Sequence, residues 1–580
     1  MNRKNLKNLL IYIFFIILHL KSIGQNKYKL TILNSDNEAV FNTISFKKDF
    51  QNIISLYKEI NSTYVFLLNE GYIAASVDSI KQDSVNYTAF ISIGKKYNWI
   101  NLSYNKNQEE VITKLGYNEH FFSKRAFKYN ELAQFMEKII VYYENNGYPF
   151  ASAKLDSINF LNEKVSAVLS IDRNTFVKLD SLVTQGDAVI NQKFLYRYLN
   201  IKNGMPYNEE AFKNISKKIK QLPFIIETKP AILKITDKQN KLFLFLDKKN
   251  ASQFDGSVGV LPDDKGKTIF TGDVKIKLVN SILKNGETFD LNWRRLQSQT
   301  QDLKAKVIYP YLFGLPIGVD YSIKIYKKDT TFIDVNNSIG LNYYFSGLNH
   351  FTMFYKQRNA NLISTSGLSF ITVLPEYADV NTKSYGLGFN FENLDYKYNP
   401  KKGTSINLQA SLGTRQIKKN PKINEVAYSN TVLKSTQYQL EGEIINYIRL
   451  HKNNILKLSS QFASVFGNVI YKNELLRIGG LKTLRGFNEE SIYASTFIIP
   501  SLEYRFLFEK NSNIFLFAES CWYENNSSMI YLNDTPVSVG AGINFNTKAG
   551  VFNLSYALGK QMGNSFDLRT GKIHAGLTVF

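Results

Sequence analysis

The 580-residue chain is 44% apolar, with 42 Phe and 36 Tyr, and carries a formal net charge of +22; it is too apolar to be disordered and too long for one ordinary domain. The basic residues are spread along the whole chain without a compact patch, which argues against nucleic acid and for a wet barrel interior or an anionic membrane surface. A single cysteine, Cys521, excludes an intrachain disulfide, and without HExxH, paired CxxC or GxSxG no metal, cofactor or hydrolase site is expected.

Taken from the start, "MNRKNLKNLLIYIFFIILHLKSIGQ" places Arg3, Lys4 and Lys7 before an apolar run from about Leu9 to Leu20, followed by Ser22-Ile23-Gly24. This is the layout of a secretory signal peptide over 1–24, cleaved before Gln25. The competing reading is a membrane anchor, but the run falls short of the ~20 apolar residues a spanning helix needs. No cysteine near the cleavage site invites lipid attachment. No later segment is long and apolar enough to be a membrane helix, whereas a membrane barrel, with alternating strands, escapes such a scan.

An internal repeat follows. "NEGYIAASVDSI" at 69–80 resembles "NNGYPFASAKLDSI" at 145–158, with Gly71-Tyr72 and Gly147-Tyr148 in corresponding places. A third unit lacks the glycine, at Pro223 in "QLPFIIETKPAILKI", but keeps the order: a helical stretch, a turn, then two alternating strands. In it "FVKLDSLVTQGD" reads as a strand, "NQKFLYRYLN" as a helix and "GMPYNEEAFKNISKKIKQL" as a turn and a second helix. Phe212, Ile215, Ile219 and Leu222 form one apolar stripe there. The order strand-helix-helix-strand-strand, with its G-x-P-Y-N-x-E turn, resembles the POTRA domain, and three such domains are expected at 27–97, 98–175 and 176–249. POTRA domains stand in the periplasm ahead of an outer-membrane barrel, and the resemblance implies that their exposed edge strands pair with extended client segments.

From about 250 the period changes to two. Val274, Ile276 and Leu278 alternate with Lys275 and Lys277; Phe289, Leu291 and Trp293 alternate with Asp290, Asn292 and Arg294. A soluble sandwich also alternates, but sixteen such runs in series, rich in aromatics and behind a signal peptide, fit a lipid-facing exterior around a wet lumen. The expected fold is therefore α+β periplasmic repeats followed by an all-β transmembrane barrel over 250–580, of about sixteen antiparallel strands. The chain stops at Phe580, and a terminal aromatic on a last strand resembles the sorting signal of outer-membrane barrels.

Between the eleventh and twelfth runs lies "LRIGGLKTLRGFNEES" at 476–491. A phosphate-binding loop would need a strand-to-helix junction and a Lys-Ser/Thr end, and neither is present; a plain turn is the other reading. Leu484-Arg485-Gly486-Phe487 after Gly479-Gly480 resembles the (V/L)RG(F/Y) loop of the BamA/TamA superfamily of outer-membrane assembly factors. The resemblance implies an extracellular loop tucked into the lumen, with Arg485 meeting an acidic residue and an aromatic on a later strand. Glu519 and Phe517 of "NIFLFAESCW" occupy those places, Glu519 standing where the family more often has Asp. "LDYKYNPKKGTSINLQASLG" at 394–413 and "VGAGINFNTKAGVFNLSYALG" at 539–559 match two further stretches. The implied function is insertion or translocation of unfolded client proteins at the outer membrane, without ATP or covalent chemistry. POTRA domains and a weak seam between first and last strands would receive the client, with room for accessory lipoproteins or periplasmic proteins. A two-partner-secretion translocator, which exports one substrate and usually has two POTRA domains, is the nearest alternative, and a passive porin a more distant one.

Overall fold

The protein is described by a computed structural model covering residues 28–578 other than 35, 37, 119–120, 124–125, 263–267, 298–299, 397–398 and 548–549. The expected signal peptide and Phe580 lie outside these residues. The chain divides into two compact units, one ending at Val177 and including Pro206–Glu209, the other comprising Lys178–Met205 and the chain from Glu210 onward.

The first unit contains two α/β sheets of one design. In one, strand Asn86–Ser92 lies between Tyr28–Asn34, its parallel neighbour, and Ser76–Asp83, its antiparallel one. In the other, Lys164–Asp172 lies in the same way between Asn98–Tyr104 and Ser152–Leu161. Each sheet is covered by one long helix, Ile53–Asn69 or Tyr129–Glu144, whose inward stripe (Leu56, Ile60, Leu67; Leu132, Phe135, Ile139) is buried among the sheet's alternate residues. The repeated Gly-Tyr pairs are the ends of these helices. Gly71 and Gly147 take φ of +97° and +99°, and the Tyr72 and Tyr148 amides each donate to a carbonyl five residues back, at 3.0 Å. That is the left-handed stop a residue with Cβ resists.

The second unit opens with a third sheet of the same design: Lys241–Lys248 lies between Ser181–Gln185, parallel, and Ile225–Lys234, antiparallel. The single helix expected after Tyr207 is split into Glu209–Lys213 and Ile215–Ile219. Between them the Asn214 side chain donates to the Glu210 carbonyl at 2.9 Å, which also accepts the Asn214 amide at 3.1 Å. Ile215, Ile219 and Leu222 are nonetheless core residues.

The rest is one antiparallel sheet from Gln253–Pro262 to Lys572–Thr578, in eighteen segments. Two pairs of segments are halves of one strand. Ser512–Ser520 and Trp522–Asn526 hold one register against Thr496–Glu509, and Tyr531–Asp534 and Val537–Thr547 hold one register against them. The barrel therefore has sixteen staves, as the alternation implies. Its outward residues are apolar and bare: Tyr385 and Leu387 are 68% and 63% exposed, whereas their inward neighbour Ser384 is 6% exposed. That inverts the order of a soluble protein and fits a lipid-facing wall. Among the described residues no helix is long and apolar enough to cross a membrane.

The third α/β sheet seats on the barrel's short turns. Phe194 and Tyr198 share a core with Tyr311 and Tyr344, and the Arg197 Nε donates to the Gly314 carbonyl at 2.5 Å. Those turns are thereby the periplasmic ones. At that end Glu287 starts the third stave later than its alternation suggests, because its carboxylate caps the amides of Ile282, Leu283 and Asn285. At the other end lie the long connections, including the one that carries Arg485.

Candidate functional site

The connection between the eleventh stave, Asn454–Phe466, and the twelfth, Thr496–Glu509, contains a short hairpin of Leu476–Ile478 with Ile492–Ala494. Between those strands the chain folds tightly on itself. The Gly479 amide donates to Thr483 Oγ1 (2.8 Å), the Gly480 amide to the Leu484 carbonyl (2.9 Å) and the Glu490 amide to the Gly479 carbonyl (3.2 Å). Gly479 and Gly480 have φ of +111° and +96°. Across the hairpin mouth Arg477 pairs with Glu490 at 2.8 Å and lies over the Tyr326 ring.

This loop is packed against the inner wall. Ile478, Leu484 and Phe487 form one buried cluster with Ala463, Phe497, Ile499, Cys521 and Tyr523 of the staves. Leu484 and Cys521 are fully inaccessible, so the lone cysteine fills a small space beneath the loop. Gly486 lies main chain to main chain against the fifteenth stave: a Cβ there would stand 2.9 Å from the Gly559 nitrogen. The Gly486 amide donates to His574 Nε2 of the last stave at 3.0 Å.

Arg485 is the polar centre of the contact. Its Nε and Nη2 donate to Glu519 Oε1 (2.8 and 2.5 Å), and its own amide donates to Glu519 Oε2 (2.9 Å). Its Nη1 donates to Glu503 Oε2 at 3.0 Å. The guanidinium lies over Phe517, 3.5 Å from the ring centroid. All three charged residues are buried, and in such surroundings pairing and a planar, stacking cation are what make burial tolerable. The added length of Glu519 is used: one oxygen takes the side chain and the other the main chain of Arg485.

Leu484, Arg485, Gly486, Phe487, Gly479, Gly480, Glu519 and Phe517 are thus in one place. Sequence reasoning passed over Glu503, Arg505 and His574. Glu503 stands directly opposite Phe517 in the register, and its second oxygen takes Arg505 Nε at 2.6 Å. The signal was available, since in "SLEYRF" Ser501, Glu503 and Arg505 share a face. The G-x-G of the fourteenth stave also has a reason. Phe517 is paired with Gly540 and Phe515 with Gly542, and each ring occupies the space a Cβ would take. The glycines let the aromatic floor beneath Arg485 lie flat. The Pro-x-x-Gly stretch is a periplasmic turn, where Asp395 accepts from the amides of Lys401 and Lys402 and Gly403 has φ +122°. Among the described residues no cluster of His, Cys, Asp or Glu could hold a metal ion.

A sixteen-stave lipid-facing barrel behind POTRA-like α+β sheets, with a buried arginine loop in its lumen, defines an outer-membrane barrel with periplasmic N-terminal domains. The family model described as the Omp85 superfamily domain matches residues 282–576, about half of the chain, and the chain belongs to that superfamily. Members of the superfamily act in insertion or translocation of proteins at the outer membrane. Among solved structures, CdiB from Escherichia coli is similar over 90% of this chain and 97% of its own, at 13% identity and a TM-score of 0.51. CdiB from Acinetobacter baumannii is similar over 88% and 94%, at 14% identity and a TM-score of 0.47. BamA from Haemophilus ducreyi lacking POTRA domains 1-3 is similar over 83% and 98%, at 16% identity and a TM-score of 0.42. At 13% identity the likeness to the Escherichia coli protein speaks for the fold alone. A comparison with curated proteins finds no match.

Proposed function

We propose that the protein is an assembly factor that inserts client barrels into the outer membrane, with 27–97, 98–175 and 176–249 as three POTRA-type domains and 250–580 as the barrel. The observation that carries this reading is the barrel's pair of end staves. Among the described residues no ladder joins Gln253–Pro262 to Lys572–Thr578. Among the described residues the last stave is joined to the fifteenth by seven residue pairs, against fifteen between the eighth and ninth. A short stave with one unpaired edge is a template for an incoming strand. No covalent chemistry is required; client folding and lipid burial drive the step. The Arg485 loop, held by Glu519, Glu503 and Phe517, keeps the lumen ordered while the edge works.

Three domains in place of two favour assembly over export of a single dedicated substrate. The test is depletion of the protein followed by outer-membrane proteomics. Assembly predicts that many barrels fall together. Loss of one exported protein, with other barrels unchanged, refutes it and supports the translocator.

A further inference from the structure

Eleven residues before Arg485, the same connection carries a second buried ion pair, with the charges exchanged. Here the loop supplies the acid and the wall the base. Arg415, pointing inward from the ninth stave, Gly403–Ile417, donates through Nε and Nη2 to the two oxygens of Glu474, at 2.8 and 2.7 Å. Both side chains are 1% exposed. The Glu474 carboxylate also accepts from Gln437 Nε2 (3.1 Å) and from the Tyr471 amide (3.0 Å), so its lone pairs are well used.

The neighbouring residues are clipped as firmly. Arg358 of the seventh stave, held bidentately by Asp334 of the sixth, donates to the carbonyls of Asn473 (2.5 Å) and Glu474 (3.4 Å). The Asn473 amide group donates to the Ala378 carbonyl at 2.9 Å, and Lys472 pairs with Glu376 at 2.9 Å. Three successive side chains therefore fasten one stretch of the loop to three different partners. A solvent-exposed turn has no use for such an arrangement, and burying two charges this completely is unfavourable unless the pairing is nearly ideal.

The two ion pairs sit on different parts of the wall. The Glu474 pair belongs to staves six, seven, nine and ten, and the Arg485 pair to staves twelve and thirteen, with His574 on the sixteenth. We propose that Arg415 and Glu474 form a second anchor that positions the Arg485 loop, so that the loop is a strut fixed at both ends across the lumen. Glu474 sets the point from which the ten intervening residues carry Arg485 to Glu519. The idea deepens the loop reading and is independent of any client, since its readouts need none.

The test uses the full-length protein in detergent and in planar bilayers, with the native thiol of Cys521, buried under the far end of the loop, as reporter. Glu474→Gln and Arg415→Gln each leave one buried group without its ionic partner. In barrels that remain folded, judged by their faster migration when unheated, each is expected to raise the rate of Cys521 maleimide labelling by about tenfold or more and to raise single-channel conductance. The exchange Arg415→Glu with Glu474→Arg is expected to return labelling to within about threefold of the native rate. Should Glu474→Gln give no folded barrel, Glu474→Asp keeps the charge, shortens the reach and is expected to loosen the thiol in the same direction. Native labelling in the folded single variants overturns the proposal, also where conductance rises, because the pair would then only seal the mouth. An exchange variant that stays as loose as the singles overturns it too.

Discussion

Replacing Arg485 by alanine tests the loop contact most directly, and the structure gives its size. The substitution removes three side-chain hydrogen bonds, two to Glu519 and one to Glu503; the residue-485 amide keeps its bond to Glu519 while the loop stays docked. Glu503 retains Arg505 at 2.6 Å. Glu519 is left with that amide and the hydroxyls of Ser501 and Ser538, both at 3.4 Å, so one buried carboxylate loses its ionic partner. Breaking a buried pair in this way costs about 3–5 kcal/mol. If that loss falls on loop docking, the undocked population rises by roughly a hundredfold to a few thousandfold, at 1.4 kcal/mol per factor of ten. Cys521 reads this population, because it is fully covered by the loop cluster and its labelling requires the loop to lift. The expected result is maleimide labelling faster by at least about a hundredfold in a barrel that still migrates as folded, with impaired client assembly. Adding Glu519→Gln removes the orphaned charge and should recover part of the loss. Labelling within threefold of native in a folded Arg485→Ala barrel would refute the reasoning.

Other substitutions separate main-chain fit from charge. Gly486→Ala places a methyl against the main chain of Gly559 at φ +86°, where nothing flexible can yield, and should speed Cys521 labelling with every charge intact; native labelling would show that the loop shifts without loss. Glu519→Asp retracts the carboxylate by about one bond, ~1.5 Å, so it cannot serve both the Arg485 side chain and amide; the lost charge-assisted bond, about 1.5–3 kcal/mol, should speed labelling by roughly ten- to a hundredfold, and a native rate would show that the loop follows the shorter acid. Gly147→Ala, at φ +99° and into the Phe176 ring, should destabilise its α/β sheet by at least about 1–2 kcal/mol and expose the N-terminal unit to limited proteolysis. Gly204→Ala, also at positive φ but in open space, should do less, and equal proteolysis of the two would contradict the steric argument.

The barrel was legible because its solvent is different on its two sides. Period-two alternation is imposed on every stave, so each run could be read off without knowing its neighbours. Register was not legible. It depends on how staves meet, and only the structure shows that Ser512–Ser520 and Trp522–Asn526 keep one register against Thr496–Glu509 across Cys521. The third repeat was readable as a helix from its stripe, but the one-residue break at Asn214 had no signal in that stripe. At the site, Arg485 with Glu519 and Phe517 came from a motif. Glu503 needed only the strand period. The Arg415–Glu474 pair had no sequence signal, because "YKNELL" reads as a polar turn and the arginine lies 59 residues away.

The exchange of charge between the two anchors has a physical consequence beyond their separate strengths. A lumen lined by Lys306, Lys324, Lys356, Glu441 and Glu443 offers a flexible loop many partners, and a loop bearing two like charges could settle against several of them. With opposite charges, each end is attracted to its own node and repelled by the other. Glu474 displaced toward the far node would meet Glu519 and a Glu503 already paired with Arg505, and Arg485 displaced toward the near one would meet Arg415 and an Arg358 already paired with Asp334. Repulsion at the wrong position selects register as effectively as attraction at the right one, and inside a low-dielectric cluster it is felt more strongly than in water. A loop set in this way can leave the wall and return to the same place, which is what the proposed opening of the barrel at its edge requires of its interior.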